Sequence, residues 1–130
     1  MAIARALVVE PEFPIFDEPF AALDPALRHR MQDLVLSLAQ ARGFGGLFIT
    51  HDLHEAARLS HWIAVMDRQG KGILGSLTPP GTPGARSEAQ IFDFTQGART
   101  DPLLHDLLNV DERVVALDYA CDTLGFQRCC

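Results

Sequence analysis

The sequence is poor in the features that mark nucleic-acid-binding, membrane-spanning and disulfide-rich proteins. Its 11 lysines and arginines are outnumbered by 17 aspartates and glutamates, so the net charge of −6 gives a nucleic-acid interface no electrostatic support. The apolar stretch at the start is interrupted by Arg5 and is too short for a membrane span or a signal peptide, and no other stretch reaches spanning length. The three cysteines, Cys121, Cys129 and Cys130, crowd at the C-terminus, which fits neither a disulfide framework nor a zinc site. We therefore expect a reducing, cytoplasmic environment and no nucleic-acid partner.

The sequence also lacks a phosphate-cradling loop. Such a loop needs a glycine, four further residues and then Gly-Lys-Ser or Gly-Lys-Thr, because its backbone N–H groups and its lysine hold the phosphates. The Gly70-Lys71 pair is followed by Gly72, and Val65 stands where the first glycine is needed. No part of the chain therefore matches the motif that grips a nucleoside triphosphate.

What the chain does contain is an ordinary globular composition and a strand–helix–strand pattern. With 130 residues, 48% hydrophobic and 22% charged, it is predicted to form one small α/β domain. The short apolar runs Phe13–Asp17 and Gly46–Thr50 predict two buried, parallel strands. Between them, Asp24 and Pro25 are a typical N-cap and first residue of a helix, and Gly43 is a typical end.

Flanking segments extend this core. Residues Met1–Val9 have apolar residues at helical spacing, which predicts a helix. The pattern Asp52-x-x-Glu55 predicts a capping box at the start of a second, short helix. Two further apolar runs, Trp62–Met66 and Lys71–Leu77, predict a hairpin.

Composition divides the chain into three parts. Residues 1–77 are predicted to form the α/β core, residues 78–86 a proline- and glycine-rich linker, and residues 87–130 a small helical tail. In the tail, Ser87-x-x-Gln90 and Thr100-Asp101-Pro102 open two predicted short helices, and a further helix is predicted from about Asp111 to Leu124.

Two adjacent carboxylates, Asp17 and Glu18, end the first predicted strand. Ligands bind at the carboxyl ends of strands in parallel sheets, and two neighbouring acids are costly there unless a metal or a proton transfer uses them. The alternative interpretation is a strand that ends in an acidic turn.

His51 follows the second predicted strand in the same way. A histidine at this position can be a hydrogen-bonded strand end, a site residue, or one half of a metal pair with His54. A zinc site built from His51, Asp52, His54, Glu55 and His61 is disfavoured, because Asp52 and Glu55 would be occupied by a capping box and the histidines lack the i, i+4 spacing of zinc helices.

These motifs together resemble ABC transporter ATPases. The segment FDEPFAALD, residues 16–24, resembles the Walker B strand and D-loop of that family, and ITHD, residues 49–52, resembles its switch-histidine strand. The start of the chain, MAIARALVVEP, is similar to the helix that follows the family's signature loop. The resemblance covers about residues 1–75 and implies a partial P-loop NTPase core with parallel strands.

The resemblance implies roles for three residues. Asp17 would hold Mg²⁺ through water, Glu18 would orient and polarise the water that attacks the γ-phosphate of ATP, and His51 would contact that phosphate. Phosphoryl transfer needs charge neutralisation and an aligned nucleophile, and a hard cation prefers carboxylate and water oxygens, so these residue types suit those roles.

The resemblance also implies a dimer. Ala22, Leu23 and Asp24 would belong to the D-loop, which contacts a second ATP-binding subunit. The chain departs from the family at two points: it has Ala21 where serine is frequent, and Pro14, which has no N–H, where the Walker B strand usually has an aliphatic residue.

By resemblance, the chain corresponds to the C-terminal half of an ATP-binding subunit, without the Walker A loop, glutamine loop and signature motif. Glu55-Ala56 after the switch motif resembles importer subunits, with a small-anion cargo such as nitrate or sulfonate favoured. The implied partners are transmembrane permease subunits and, indirectly, an external substrate-binding protein, at the cytoplasmic face of the membrane. A non-catalytic interaction module or truncated subunit is the alternative, and a metal-dependent hydrolase is a third.

Overall fold

The computed structural model describes residues 2–67, 69, 71–102, 104–105 and 113–118. The helices and strands whose two ends are described follow one another along this part of the chain. In order they are α1 (Ala2–Val8), β1 (Ile15–Asp17), α2 (Pro25–Arg42), β2 (Gly46–Thr50), α3 (Leu53–Leu59), β3 (Trp62–Met66), β4 (Ile73–Leu77), α4 (Glu88–Thr100) and β5 (Arg113–Asp118).

The five strands form one mixed sheet in the order β1-β2-β5-β3-β4. Strands β1 and β2 are parallel, with Phe16 opposite Phe48. Strand β5 lies between β2 and β3 and is antiparallel to both, and β4 pairs antiparallel with β3 at the far edge. The predicted parallel pair and the predicted hairpin are therefore confirmed.

Local sequence signals set the ends of α2. The Asp24 carboxylate accepts hydrogen bonds from the backbone N–H groups of Ala26 and Leu27, both at 3.1 Å, which satisfies two donors that the helix itself leaves free. At the other end Gly43 adopts a left-handed conformation (φ 67°), and its N–H donates to the carbonyl of Ala39 at 2.8 Å. A side chain at this φ is strained, which is why glycine ends the helix.

One apolar cluster joins the helices to the sheet. Phe16 and Phe48 stack across the β1–β2 pair with ring centroids 4.7 Å apart, and the fully buried Phe20 packs beside them. Helix α4 contributes Ile91 to the same cluster. The segment after the linker is therefore part of the hydrophobic core.

The prediction for the tail is wrong in part. Its first helix exists as α4, with the predicted capping box between Ser87 and Gln90. The helix predicted from Asp111 to Leu124 is contradicted by β5, which occupies Arg113–Asp118; the rest of that range lies outside the described residues. Only two of the six residues of β5, Val114 and Val115, are β-branched, and ten backbone pairings with β2 and β3 outweigh its weak helical periodicity.

Strand β1 is shorter than predicted and lies at the edge of the sheet. It begins at Ile15, and Pro14 precedes it. The carbonyl of Pro14 still accepts a hydrogen bond from the N–H of Leu47 at 3.0 Å, so the proline continues the pairing with β2 despite its missing N–H.

None of the helices in the described part of the chain is long and apolar enough to cross a membrane.

Candidate functional site

The site lies where β1 and β2 end side by side. Because these strands are parallel and in register, with Asp17 opposite Ile49, the residues that follow them leave the sheet at the same edge. The N–H of Glu18 donates to the carbonyl of Ile49 at 2.8 Å. Glu18 has a positive φ of 47°, which non-glycine residues rarely adopt and which redirects the chain immediately after the strand.

Glu18 and His51 are in direct contact. Nδ1 of His51 and Oε1 of Glu18 are 2.9 Å apart, and both side chains remain partly accessible, Glu18 at 30% and His51 at 63%. The hydrogen bond from Glu18 and then its negative charge raise the pKa of His51 above its ordinary value of 6.5. The pair is therefore an exposed carboxylate that stabilises the protonated imidazole beside it.

Asp17 is the last residue of β1, and its side chain is exposed. Within the described residues no group of three histidine, cysteine or acidic side chains could hold a metal ion. Asp17 alone offers one carboxylate, which fits Mg²⁺ only when water and phosphate oxygens supply the remaining ligands. Asp17 therefore forms no metal site with the other described residues.

The segment predicted to be the D-loop is a tight turn between β1 and α2. The N–H of Leu23 donates to the carbonyl of Phe20 at 3.2 Å, and the carbonyl of Leu23 accepts from the guanidinium of Arg28 at 3.1 Å. Ala22 is exposed at the tip, whereas the carboxylate of Asp24 caps α2. Ala22 is therefore accessible to another protein.

A buried polar network formed by Gln32, Thr50 and Glu55 holds the residues next to His51 in place. Glu55 is 6% exposed; Thr50 donates to its Oε2 at 2.7 Å, and Gln32 of α2 donates to its Oε1 at 3.0 Å. Thr50 also accepts the N–H of Asp52 at 3.1 Å, so the network holds the residues on both sides of His51. Burial raises the pKa of Glu55, because the charged form loses solvation.

This network corrects the predicted capping box. Asp52 does cap α3, accepting from the N–H groups of His54 at 2.9 Å and Glu55 at 3.4 Å. The side chain of Glu55, however, points into the network with Thr50 and Gln32, and the N–H of Asp52 is satisfied by Thr50 instead. Tertiary burial of Glu55 thus replaces the local contact that the spacing predicts.

The zinc alternative has no support in the described residues. His51 pairs with Glu18, whereas Nε2 of His54 lies 3.4 Å from a carboxylate oxygen of Glu88 on α4. The side chain of Glu88 also accepts from Arg58 at 2.6 Å, so it belongs to a surface ion-pair group that joins α3 to α4. The histidines therefore serve two different regions of the molecule.

Sequence reasoning missed three structurally important residues, namely Gln32, Thr50 and Arg86. Gln32 lies on α2 at a position that the helix buries, and a buried amide must find a partner. Its spacing relative to Val35 and Leu36 indicates burial, but the partner comes from another element and leaves no sequence signal.

The pair formed by Glu18 and His51 can perform two kinds of chemistry. A carboxylate that is partly accessible and held by a neighbouring imidazolium can orient a water molecule or accept its proton. The protonated His51 can attract an anionic group, such as a phosphate oxygen, to the same edge of the sheet. Both capabilities depend on the parallel pairing of β1 and β2, which brings together residues 33 positions apart.

Several curated proteins are similar to much of this chain. An aliphatic sulfonates import ATP-binding protein, SsuB 1 of Nocardia farcinica, is 44% identical over 93 residues, which are 72% of this chain and 38% of that protein. The Fe(3+) ions import ATP-binding protein FbpC of Brucella abortus is 39% identical over 102 residues, 78% of this chain and 28% of its own length.

The trimethylamine N-oxide transport system ATP-binding protein TmoW of Ruegeria pomeroyi is 50% identical over 66 residues, 51% of this chain and 19% of its own length. The chain thus spans at most about 40% of the length of these relatives. No family model matches the chain, and no solved structure matches it significantly.

Proposed function

This chain is related, over about 72% of its length, to the ATP-binding subunits of ABC importers, and we propose that it carries the hydrolytic part of such a subunit. The activity in question is ATP hydrolysis that energises import across a membrane. The observation that carries the proposal is the 2.9 Å contact between Glu18 and His51 at the ends of adjacent parallel strands. An acid and a histidine meeting at this edge suit the activation of water beside an anionic phosphate.

Each residue has a distinct role in the proposed site. Glu18 polarises the attacking water, because its carboxylate is partly accessible and lies beside His51. His51, held at Nδ1 by Glu18, meets the γ-phosphate of ATP with its other ring nitrogen. Asp17 would hold Mg²⁺ through water, and the cation would neutralise charge on the phosphates. Thr50 and Glu55 act through His51 by fixing the backbone on either side of it.

The turn at Ala22, Leu23 and Asp24 is proposed to contact a second ATP-binding subunit, as a D-loop. Ala22 is exposed and therefore available, whereas Asp24 acts by holding the start of α2. In this proposal residues 1–77 are the Walker B and switch-histidine part of the ATPase domain, residues 78–86 a linker, and residues 87–130 a tail. The further partners are permease subunits at the cytoplasmic face of the membrane and, indirectly, a substrate-binding protein.

A second candidate function is a non-catalytic interaction module. It is favoured by the lack of a phosphate-binding loop among the chain's own residues. In this case the chain docks on another subunit through its exposed turn and hydrolyses nothing. We expect the chain alone to show no micromolar binding of MgATP in calorimetry, because the loop that supplies backbone donors and a lysine to the phosphates is missing. Micromolar binding would contradict this expectation.

A chimera separates the two functions. The 93 residues of this chain that align with the Nocardia farcinica relative replace the matching segment of that protein, and ATP turnover is measured with and without Glu18→Gln. We expect a loss of at least about 100-fold in turnover with nucleotide binding retained, because general base catalysis typically contributes 10²–10⁴-fold. Glu12→Gln, an exposed glutamate before the same strand, is the matched control and should leave turnover unchanged.

Two results would contradict the catalytic proposal. A chimera that folds and binds ATP but does not turn it over would favour the interaction module. Near-normal turnover by Glu18→Gln would show that another group activates the water. His51→Ala is expected to lower turnover as well, since it removes both the phosphate contact and the partner of Glu18.

A further inference from the structure

Helix α2 carries two polar side chains on an inward face. Arg28 and Gln32 are four residues apart, so they lie on the same side of the helix, about one turn from each other. Gln32 is 4% exposed, and Arg28 is half-buried. Because a buried polar group is costly unless it has a partner, the partners of these two side chains show what this face of α2 holds in place.

Arg28 holds the turn that begins at Glu18. Its guanidinium donates to the carbonyl of Leu23 at 3.1 Å, and at the start of the same turn the carbonyl of Glu18 accepts from the N–H of Ala21 at 3.3 Å. Glu18 has a positive φ of 47°, a conformation that persists only where the surrounding structure enforces it. Arg28 therefore helps to fix the backbone from which the Glu18 side chain projects.

Gln32 acts on the other member of the pair. It donates to Oε1 of Glu55 at 3.0 Å, and Oε2 of the same carboxylate accepts from the hydroxyl of Thr50 at 2.7 Å. Thr50 is 1% exposed and immediately precedes His51. The imidazole of His51 is 63% exposed, so its position depends on this backbone more than on packing around the ring. Gln32 therefore holds the backbone before His51 to the face of α2 that also carries Arg28.

We propose that Arg28 and Gln32 are positioning residues that set the contact between Glu18 and His51. Each holds one member of the pair to α2, so the helix is a common support for two side chains that are 33 residues apart in the sequence. The inference rests on the proposed function, in which the pair acts in hydrolysis. It adds that a second subunit contacting the turn would act on the same support.

The first test is an NMR titration of His51 in the whole chain, with Arg28→Met and Gln32→Met. Both variants should lower the pKa of His51 towards 6.5, because the hydrogen bond with Glu18 is the largest cause of its rise and weakens steeply when its geometry is disturbed. A merely structural role would reduce the folded fraction without changing the pKa of His51 in the folded molecules.

Exposed residues of the same helix supply the matched controls. Arg30→Met and Gln40→Met remove the same chemical groups from exposed positions and should leave the pKa of His51 unchanged. Because Arg28 is only half-buried, Arg28→Met keeps the test decisive if Gln32→Met does not fold.

Charge and geometry are separated by repeating the titrations in Glu55→Gln. The carboxylates that face His51 and raise its pKa are those of Glu18, Asp52 and Glu55. Burial raises the pKa of Glu55, and the hydrogen bond from Gln32 and the charge of Arg28 oppose this rise, so losing either side chain favours its neutral form. Glu55→Gln removes this charge and keeps an acceptor for Thr50. A fall in the pKa of His51 that persists in this background therefore reports the contact with Glu18.

Turnover of the chimera tests the consequence for hydrolysis. Arg28→Met and Gln32→Met should each lower kcat by about 10–100-fold with KM for ATP unchanged, because misplacing a reacting group by about 1 Å can cost about 100-fold without affecting substrate binding. A lowered pKa of His51 with normal kcat would support the positioning role and contradict the proposed role of the pair in hydrolysis. An unchanged pKa of His51 in both variants, or a fall that disappears in Glu55→Gln, would overturn the inference.

Discussion

Arg86 is a buried charged side chain whose removal we expect to lower stability by several kcal/mol. It is 9% exposed, although it is a charged residue directly after the proline- and glycine-rich loop. Its guanidinium donates to Ala57 and Ser60 carbonyls at the end of α3, at 2.7 and 2.9 Å. It also donates to the carbonyls of three loop residues, Pro79, Pro80 and Gly81, at 3.4, 2.6 and 2.9 Å. One side chain thus fastens the loop to the helix end.

The size of the expected loss of stability follows from the carbonyl groups that Arg86→Met would leave without a guanidinium partner. Pro80 and Gly81 are exposed, so water can replace the guanidinium at their carbonyls, whereas Ala57 and Ser60 are buried. Each buried carbonyl left without a partner costs about 1–3 kcal/mol. Two such groups give a loss of about 2–6 kcal/mol, a large part of the 5–15 kcal/mol that stabilises an ordinary domain.

Urea denaturation of the wild type and Arg86→Met measures this loss directly. Arg30→Met, which removes an exposed guanidinium from α2, is the matched control and should change stability by less than about 0.5 kcal/mol. Arg86→Lys should fall between the two, because an ammonium keeps the charge but cannot reach two separate groups of carbonyls as a planar fork does. A loss below about 1 kcal/mol in Arg86→Met would refute the reasoning.

Two further predictions concern titration. The pKa of His51, followed by NMR, should lie above 6.5, and it should fall in Glu18→Gln but not in Glu12→Gln. Because the pKa of His51 is raised in the folded state, the contact with Glu18 stabilises the fold at low pH. This stabilisation is lost as the pH rises through the folded-state pKa. An unchanged His51 pKa in Glu18→Gln would contradict the assigned hydrogen bond. The pKa of Glu55 is also raised in the folded state, so its effect on stability changes with pH in the same direction. The wild type should lose stability relative to Glu55→Gln as the pH rises from about 4.5, the ordinary pKa of a glutamate, through the folded-state pKa. A stability difference independent of pH between 4.5 and 8, measured by urea denaturation, would show that burial does not oppose the charge of Glu55.

Features that depend on neighbouring residues were predictable from the sequence. Asp24 and Gly43 mark the ends of α2 because a cap satisfies backbone groups within the same turn. Strand β2 was predicted with its observed bounds, since a short apolar run between a glycine and a polar residue is a local pattern. The family relationship was also predictable, because short motifs in a fixed order are a property of the sequence.

The candidate site was predictable as residues but not as a contact. Glu18 and His51 were identified by motif, and strand ends in a parallel sheet were expected to meet. The 2.9 Å contact between them depends on the register of β1 against β2 and on the positive φ of Glu18, both of which are set by packing.

Contacts between distant segments were decided by the tertiary structure alone. Glu55 has the spacing of a capping box, yet Gln32 and Thr50 take its carboxylate, because once it is buried only partners from other elements can satisfy both of its oxygens. Arg113–Asp118 has weak preferences of its own, and two neighbouring strands with open edges make it a strand. Local sequence therefore determined where helices and strands begin and end, whereas the tertiary structure determined which distant backbone and side-chain groups satisfy one another.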